Sequence, residues 1–472
     1  MEFTMPQRAH FIGIGGINMS GLAKLLNRSG VRVTGSDVAA SELTEELHTY
    51  GIDVKIGHAA ENVPVDADIV IYSSAVPESN PERAVARSKG ITQQTNFEFL
   101  GAWSASRHTV LICGTHGKST TTAIAGLLLV EGGFDPTVFV GSRVTAFKDG
   151  NVYLGKSDLV VIEGDEYAKH FLAFEPSVVV LNNIELDHTD VYPTIDDLIA
   201  VFRELLRKIR PNGFLIANAD DARVQTLIGE ERGRLEAHGV QIKTFGFGSH
   251  ADRQIADYVP KAGAQVFAVR DEQGVMSRFS LRVPGRMNVM NAVGAMTLAA
   301  NVGVQMATIR HVLETFPGIW RRFETVLDRD GITIISDYGH HPTAVAATLE
   351  AAKGFFPGRH VVLCFQPHHR NRTKHLFQDF IPCFDKADAL ILTEIYDVAG
   401  REATEDENVS SRDLQDAVLA HDEERGAKRV VEYVPDPKEA LAILKRWKKP
   451  GDVIIVMGAG DIYKIANRVL EK

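Results

Sequence analysis

The run Gly114-Thr115-His116-Gly117-Lys118-Ser119-Thr120-Thr121 brings together residues suited to one task, holding a chain of phosphates. Phosphate needs several backbone N–H groups converging on it, and glycine allows the backbone that approach. A following helix adds the partial positive charge of its N-terminus, Lys118 neutralises phosphate oxygens, and the Ser119 hydroxyl can reach Mg²⁺. The usual phosphate loop has four residues between its first glycine and the Gly-Lys pair. Here Thr115 and His116 alone stand between Gly114 and Gly117-Lys118. The order of apolar strand, Gly-Lys-Ser and helix predicts a nucleoside triphosphate site.

A second glycine-rich turn lies near the N-terminus, with Gly13, Gly15 and Gly16 between a strand-like and a helix-like stretch and Ser36-Asp37 after the next apolar run. Such a turn holds a pyrophosphate while the acidic residue meets a ribose. Asn18 occupies the place of the third glycine of that fingerprint. The turn by itself points equally to NAD or to a nucleotide-sugar diphosphate, so a nicotinamide-binding dehydrogenase or redox-sensing protein is an alternative. Hydride transfer, however, needs no triphosphate cradle.

Carboxylates gather after two further apolar runs, in Glu163-Gly164-Asp165-Glu166 and in Asn182-Asn183-Ile184-Glu185-Leu186-Asp187-His188. Ligands bind at the carboxyl ends of strands in sheets of this kind, and carboxylates with a neutral imidazole suit Mg²⁺ beside phosphates. Glu163 and His188 are the candidates; the other side chains are expected as hydrophilic loop caps. Asn288 and Asn291 lie three apart, hence on one helix face. Arg321-Arg322 could supply a guanidinium to a triphosphate. His340-His341 open a helix, where adjacent side chains diverge, which argues against a zinc pair. His368-His369 read the same way.

These groups need a frame. Apolar runs alternate with helical stretches throughout, predicting α/β layers around parallel sheets. Strands are expected at 9–13, 31–35, 68–73, 109–113, 159–163, 177–182, 332–336, 360–365, 389–393, 429–433 and 453–457, with a hairpin around 271–274 and helices at 19–27, 43–50, 118–130, 195–209 and 289–301. A polar stretch at 101–107 shows no periodicity. At ~150 residues per domain, 472 residues imply about three domains, expected at 1–107, 108–318 and 319–472. The acidic run Glu402–Glu407 reads as a solvated loop. Hydrophobic residues make up 44% and charged residues 24%, a globular composition. A net charge of −10 gives no general attraction to nucleic acid. No apolar run approaches the ~18 residues of a membrane span. The N-terminus lacks the basic-then-apolar pattern of a signal peptide, and three widely spaced cysteines form neither a disulfide framework nor a zinc site. The expected location is the cytoplasm.

Taken together, Gly114–Thr121, Glu163–Glu166, Asn183–His188, Arg321-Arg322-Phe323-Glu324, Asp337–Pro342 and Met457–Asp461 resemble the Mur ligases, in order and over essentially the whole chain. The resemblance implies three α/β domains: a Rossmann-like N-terminal domain binding a UDP-sugar, a central P-loop-type ATPase domain, and a Rossmann-like C-terminal domain binding an amino acid. It implies an amide-forming ligase that uses ATP and Mg²⁺ to join L-alanine to UDP-N-acetylmuramate through an acyl phosphate, in peptidoglycan precursor synthesis. The alternative within the family attaches a preformed tripeptide.

Carried over residue by residue, Gly114, Thr115, His116, Gly117, Lys118, Ser119 and Thr120 cradle ATP. Ser119, Glu163 and His188 serve Mg²⁺. Asn288 and Asn291 face the adenine, Arg322 the terminal phosphate and Asp337 the ribose. Lys118, Glu163, His188 and Arg322 are the catalytic set. Gly13, Gly15, Gly16, Ser36, Asp37, Ser73 and Ser74 match the UDP-sugar site, and Tyr338, His340 and Arg372 match the amino-acid end. The chain departs from the alanine-adding pattern at Asn18, Gly164, Met287 and His369, where glycine, alanine, histidine and arginine are frequent. Tyr167 is similar to the tripeptide-attaching members.

Overall fold

Val110, Leu111, Ile112 and Cys113 form an unbroken apolar run, and all four are buried. Parallel strands covered by helices on both faces require such runs. The computed structural model, which describes residues 3–397 and 408–471, builds three sheets around runs of this type.

The first sheet is wholly parallel and orders its five strands as Asp53–Ile56, Arg32–Asp37, Arg8–Ile12, Ile69–Tyr72 and Thr92–Thr95. The order reverses direction beside Arg8–Ile12, which places the Gly13–Gly16 turn at a topological switch point. In the second sheet, His108–Cys113 lies between Leu159–Glu163 and Val178–Leu181, all parallel. The expected hairpin is present as Ala264–Arg270 and Met276–Leu281, and Arg253–Lys261 pairs with it to make three antiparallel strands at the sheet edge. In the third sheet the last strand, Asp452–Met457, inserts between Ile332–Asp337 and His360–Phe365.

Helix Lys118–Glu131 is buried on nearly every face, packed between the second sheet and helix Arg286–Asn301. That packing aims its N-terminus, with the phosphate-type loop, at the carboxyl end of the central strands. One expectation fails locally. Residues 101–104 finish a helix, Asn96–Ser104, opened by a Thr95–Glu98 capping box and holding Phe97, Phe99, Leu100 and Trp103 inside. Its apolar residues are bunched, not periodic, because the helix is buried on several sides. The acidic run at 402–407 lies outside the described residues.

Two charged clusters fasten the frame. Lys24 is fully buried and bridges the first two sheets, donating to Glu46 Oε1 (2.6 Å), the Asp149 carbonyl (2.9 Å) and Asn151 Oδ1 (3.2 Å). Glu82, also fully buried, accepts from Ser36 Oγ (2.7 Å), Asn62 Nδ2 (2.8 Å) and the Ala59 N–H (3.1 Å), with His10 Nε2 at 2.8 Å. Burial would raise this carboxyl, but the bonds from His10, Asn62 and Ser36 hold it down at about 2.

Glu82 therefore ties strand Arg32–Asp37 to the helix beside it. Its folded value lies below its unfolded one near 4.5, so its contribution is complete above that pH and is lost as pH falls toward 2. Glu82→Ala is expected to cost about 3–5 kcal/mol, because buried donors lose their acceptor. Hydrogen exchange in Arg8–Ile12 and Arg32–Asp37 reads this directly. Unchanged protection in the variant contradicts the assignment.

Candidate active site

Gly117 sets the shape of the phosphate-type loop. Its φ of +80° is left-handed, and a Cβ there would sit 2.2 Å from Asn291 Oδ1, so glycine is required for both conformation and space. Asn291 Nδ2 in turn donates to Asn288 Oδ1 (3.2 Å), and both amides are buried against the loop. Asn183 orders the other side, its Oδ1 accepting the His116 N–H (2.7 Å) and its carbonyl the Thr115 N–H (3.2 Å).

Lys118 Nζ folds back onto its own loop, donating to the Gly114 carbonyl (2.8 Å) and to both oxygens of Glu166 (2.9 and 2.8 Å). Glu166 is only 1% exposed. Burial alone would lower the lysine, yet Glu166, Asp165 and Glu163 hold it above its ordinary value, firmly cationic. Next to it, Ser119 Oγ donates to Glu163 Oε1 (2.8 Å), and the second Glu163 oxygen accepts the Gly141 N–H. A Cβ at Gly141 would fall 2.8 Å from that oxygen, so the glycine admits the carboxylate. Burial pushes Glu163 up despite these donors.

His188 completes this edge from a left-handed backbone (φ +55°). Its Nε2 lies 3.5 Å from Glu166, while its buried Nδ1 has no hydrogen-bond partner among the described residues. Ser119 and Glu163 offer oxygens that suit a divalent cation beside phosphates, whereas His188 clusters with Asp165 and Glu166, one ligand-type atom of each within 4.8 Å of the others.

The third sheet supplies the facing wall. Asp337, at the end of its strand, accepts from the Phe323 N–H (2.7 Å) and Gly339 N–H (2.6 Å). The two adjacent arginines part company. Arg321 is buried, capping the Gly460 carbonyl (2.9 Å) and lying over Tyr463 and Tyr338. Arg322 is half-buried over Tyr338; burial raises both Glu163 and Asp337, and the nearby Arg322 cation only opposes that rise. Arg372 reaches across to Asp187, Nε to Oδ1 at 2.7 Å, and its Nη1 lies 3.2 Å from His368 Nδ1. His340 stands on the other Asp187 oxygen at 3.8 Å. Arg322, Asp337, Tyr338, His340 and Arg372 thus share one cleft with the phosphate-type loop.

The glycine turn of the first sheet forms a separate group. Gly13 and Ile14 donate to the Ser36 carbonyl (2.8 and 3.0 Å), and Gly15 N–H donates to Asp37 Oδ2 (2.8 Å). Gly16 and Ser74 are exposed at its rim, with Ser73 half-buried beside Gly13. The Ser36 hydroxyl instead points inward to Glu82, away from the turn.

Two carboxylates expected as solvated caps are nothing of the kind. Glu166 and Asp187 are buried and paired with Lys118 and Arg372. An acidic residue after a strand looks alike in sequence whether it meets water or a cation from a distant segment. Gly141 was likewise invisible, since its role lies in the absence of a side chain.

Three family models match successive parts of the chain: the Mur ligase family catalytic domain at residues 8–108, the Mur ligase middle domain at 112–299, and the glutamate ligase domain at 321–460. A UDP-N-acetylmuramate–L-alanine ligase of Salinibacter ruber is 39% identical over 466 residues, covering 98% of this chain and 94% of the relative. The chain belongs to the Mur ligase family. A ligase of the same name from Clostridium novyi is 38% identical, covering 98% and 97%. The crystal structure of UDP-N-acetylmuramate-alanine ligase MurC from Thermotoga maritima superposes with a TM-score of 0.80 at 27% identity, covering 98% of each chain. A murein peptide ligase from Psychrobacter arcticus shares the fold at a TM-score of 0.70 and 23% identity, covering 98% of each chain. The three sheets are therefore the three-domain Mur ligase architecture, with Rossmann-like terminal domains and a central ATPase domain. No helix among the described residues is long and apolar enough to cross a membrane.

In this Mur ligase the charge at His340 is set by its neighbours. Burial and the Arg372 cation push the imidazole down to about 4, against the pull of Asp187. Asp187 itself would be raised by burial, but the Arg372 cation holds it well below the carboxylate range. With a folded value below the ordinary 6.5, the unfolded chain binds more protons between the two, so this group makes stability rise with pH from about 4 to 6.5. Nitrogen-15 NMR of the histidines is expected to find His340 neutral across that interval, and Arg372→Met is expected to move its midpoint upward. A midpoint at or above 6.5 in the unsubstituted protein would refute this account.

Proposed function

We propose that this Mur ligase joins L-alanine to UDP-N-acetylmuramate at the expense of ATP, with Mg²⁺, in peptidoglycan precursor synthesis. The observation that carries the reading is full-length similarity to relatives named for that reaction, up to 39% identical along 98% of the chain. The cleft chemistry supports it. A carboxylate is a poor electrophile, and its phosphorylation brings two anions together, so cations must be in place as charge develops.

In this reading the Gly114–Thr120 loop holds the triphosphate, and Lys118 turns from Glu166 toward the phosphate oxygens. Ser119, Glu163 and His188 hold Mg²⁺, which when bound neutralises phosphate charge. Arg322 approaches from the third domain toward the terminal phosphate, while Asn288, Asn291 and Asp337 lie where the nucleoside would rest. The Gly13–Gly16 turn, with Asp37, Ser73 and Ser74, takes the UDP-sugar.

The amino-acid end is assigned to Tyr338, His340 and Arg372. His340 Nδ1 lies 3.2 Å from the Tyr338 carbonyl, which can only accept, so the ring proton is there and Nε2 is bare. A neutral imidazole with Nε2 beside Asp187 can accept a hydrogen bond from alanine's amino group and so orient the nitrogen toward the acyl phosphate. Arg372 is anchored through Nε and Nη1, and its Nη2 makes neither of those bonds and is offered to the amino-acid carboxylate.

Phosphate release with ATP, Mg²⁺ and UDP-N-acetylmuramate is expected to depend on L-alanine. Dependence on the tripeptide L-alanyl-γ-D-glutamyl-meso-diaminopimelate instead would assign the chain to the tripeptide-attaching branch, as Tyr167 suggests. Lys118→Ala should lower turnover at least about a hundredfold in protein shown by circular dichroism to be folded, since charge neutralisation at the phosphates is lost, and it should also lower stability because Glu166 loses its partner. Near-normal turnover in that variant would displace the ATP site from this loop.

A further inference from the structure

His340 and His341 diverge as adjacent residues at a helix start should, and the second of them lands in unexpected company. His341, the N-cap of helix Pro342–Phe355, crosses from the third domain to the central one. There it meets His116 of the phosphate-type loop and Glu185 from the segment after Val178–Leu181. One ligand-type atom from each lies within 4.8 Å of the others. His116 Nε2 is 2.7 Å from Glu185 Oε2, His341 Nδ1 is 3.9 Å from the same oxygen, and the two rings are 5.0 Å apart. None of the three is Ser119, Glu163 or His188, and the cluster is separate from Asp165–Glu166–His188.

We propose that His116, Glu185 and His341 form a binding site for a first-row transition ion of the Zn²⁺ class, spanning the central and third domains. Two imidazoles and one carboxylate are a ligand set that zinc accepts with a fourth position left for water, whereas Mg²⁺ prefers oxygen. Atoms bound to one tetrahedral Zn²⁺ at ~2.0–2.1 Å lie about 3.3 Å apart. The observed 2.7 and 3.9 Å straddle that spacing, and the two histidines' ligand atoms lie within 4.8 Å of each other, so no separation changes by more than about 1.5 Å.

The surroundings orient the ligands as metal sites require. His341 Nε2 lies 3.2 Å from the Leu186 carbonyl, which fixes the ring proton on Nε2 and leaves Nδ1, 3.9 Å from Glu185 Oε2, unprotonated. The Nδ1 lone pair accepts a long 3.3 Å bond from the Thr343 N–H, which an ion would replace. Glu185 Oε1 is held by the Thr343 hydroxyl at 2.6 Å, leaving Oε2 toward the histidines. Burial would raise Glu185, but His116 and Thr343 keep it at about 2, so the carboxylate is ionised. On binding, the proton between His116 Nε2 and Glu185 leaves that nitrogen. The bound ion pins the phosphate-type loop, two residues before Lys118, to the third domain.

The test uses the full chain stripped of metal and then given Co²⁺ or Zn²⁺ alone in excess Mg²⁺. Co²⁺ reports a tetrahedral nitrogen–oxygen site by its visible absorption, and Zn²⁺ is followed by competition with a chromophoric chelator. The unsubstituted protein is expected to bind one equivalent with the tetrahedral spectrum. His341→Ala should remove the spectrum and weaken Zn²⁺ at least about tenfold, and Glu185→Gln, which keeps the side-chain shape, should do the same. His188→Ala, which alters the neighbouring Asp165–Glu166–His188 group, should leave both readouts unchanged. The proposal is overturned if the unsubstituted protein binds neither ion, if Glu185→Gln and a folded His341→Ala both bind normally, or if His188→Ala abolishes the spectrum. None of these readouts depends on ligase activity, so they are independent of the substrate assignment.

Discussion

Glu166 and Asp187 are carboxylates with almost no access to water, and a buried charge left unpaired is among the costliest things a fold can contain. Breaking such a pair costs about 3–5 kcal/mol. Lys118 answers the first and Arg372 the second. Much of the cleft follows from that requirement. The lysine is drawn back onto its own loop, His188 is held beside Glu166, and the third domain is drawn onto the central one because the partner of Asp187 resides there.

The same pairs make the cleft responsive. Lys118 satisfies Glu166 and a loop carbonyl with bonds that a more strongly charged ligand can replace, so the loop is pre-shaped without being blocked. Glycine has a role here that is steric in a specific way. Gly117 admits Asn291, and Gly141 admits Glu163. A methyl group at either place would push apart the polar atoms the cleft depends on.

Rigidity is distributed unevenly. The first and central domains are joined through a buried lysine with three oxygen partners, Lys24. The third domain meets the central one through side chains at the cleft itself: Arg372 on Asp187, Thr189 on Asn371, and His341 on the Leu186 carbonyl. A ligand in the cleft therefore acts on the same contacts that set the position of the third domain, which couples binding to domain geometry.

The sequence by itself determined the α/β class, the strand–loop–helix that presents Lys118 and Ser119, the hairpin near residue 271, and the order of motifs that marks a Mur ligase. Each of these rests on local period or on glycine and lysine spacing within a few residues, information the chain carries along its length. Helix Asn96–Ser104 escaped because a helix buried on several sides loses its periodic stripe. Only the tertiary structure decided which of two adjacent arginines faces the cleft, that Ser36 turns inward to Glu82, and that Glu166 and Asp187 are buried ion-pair partners and not solvated caps. The reason is common to all of them. The fate of a polar side chain depends on what a segment tens or hundreds of residues away places opposite it, and no local pattern records that.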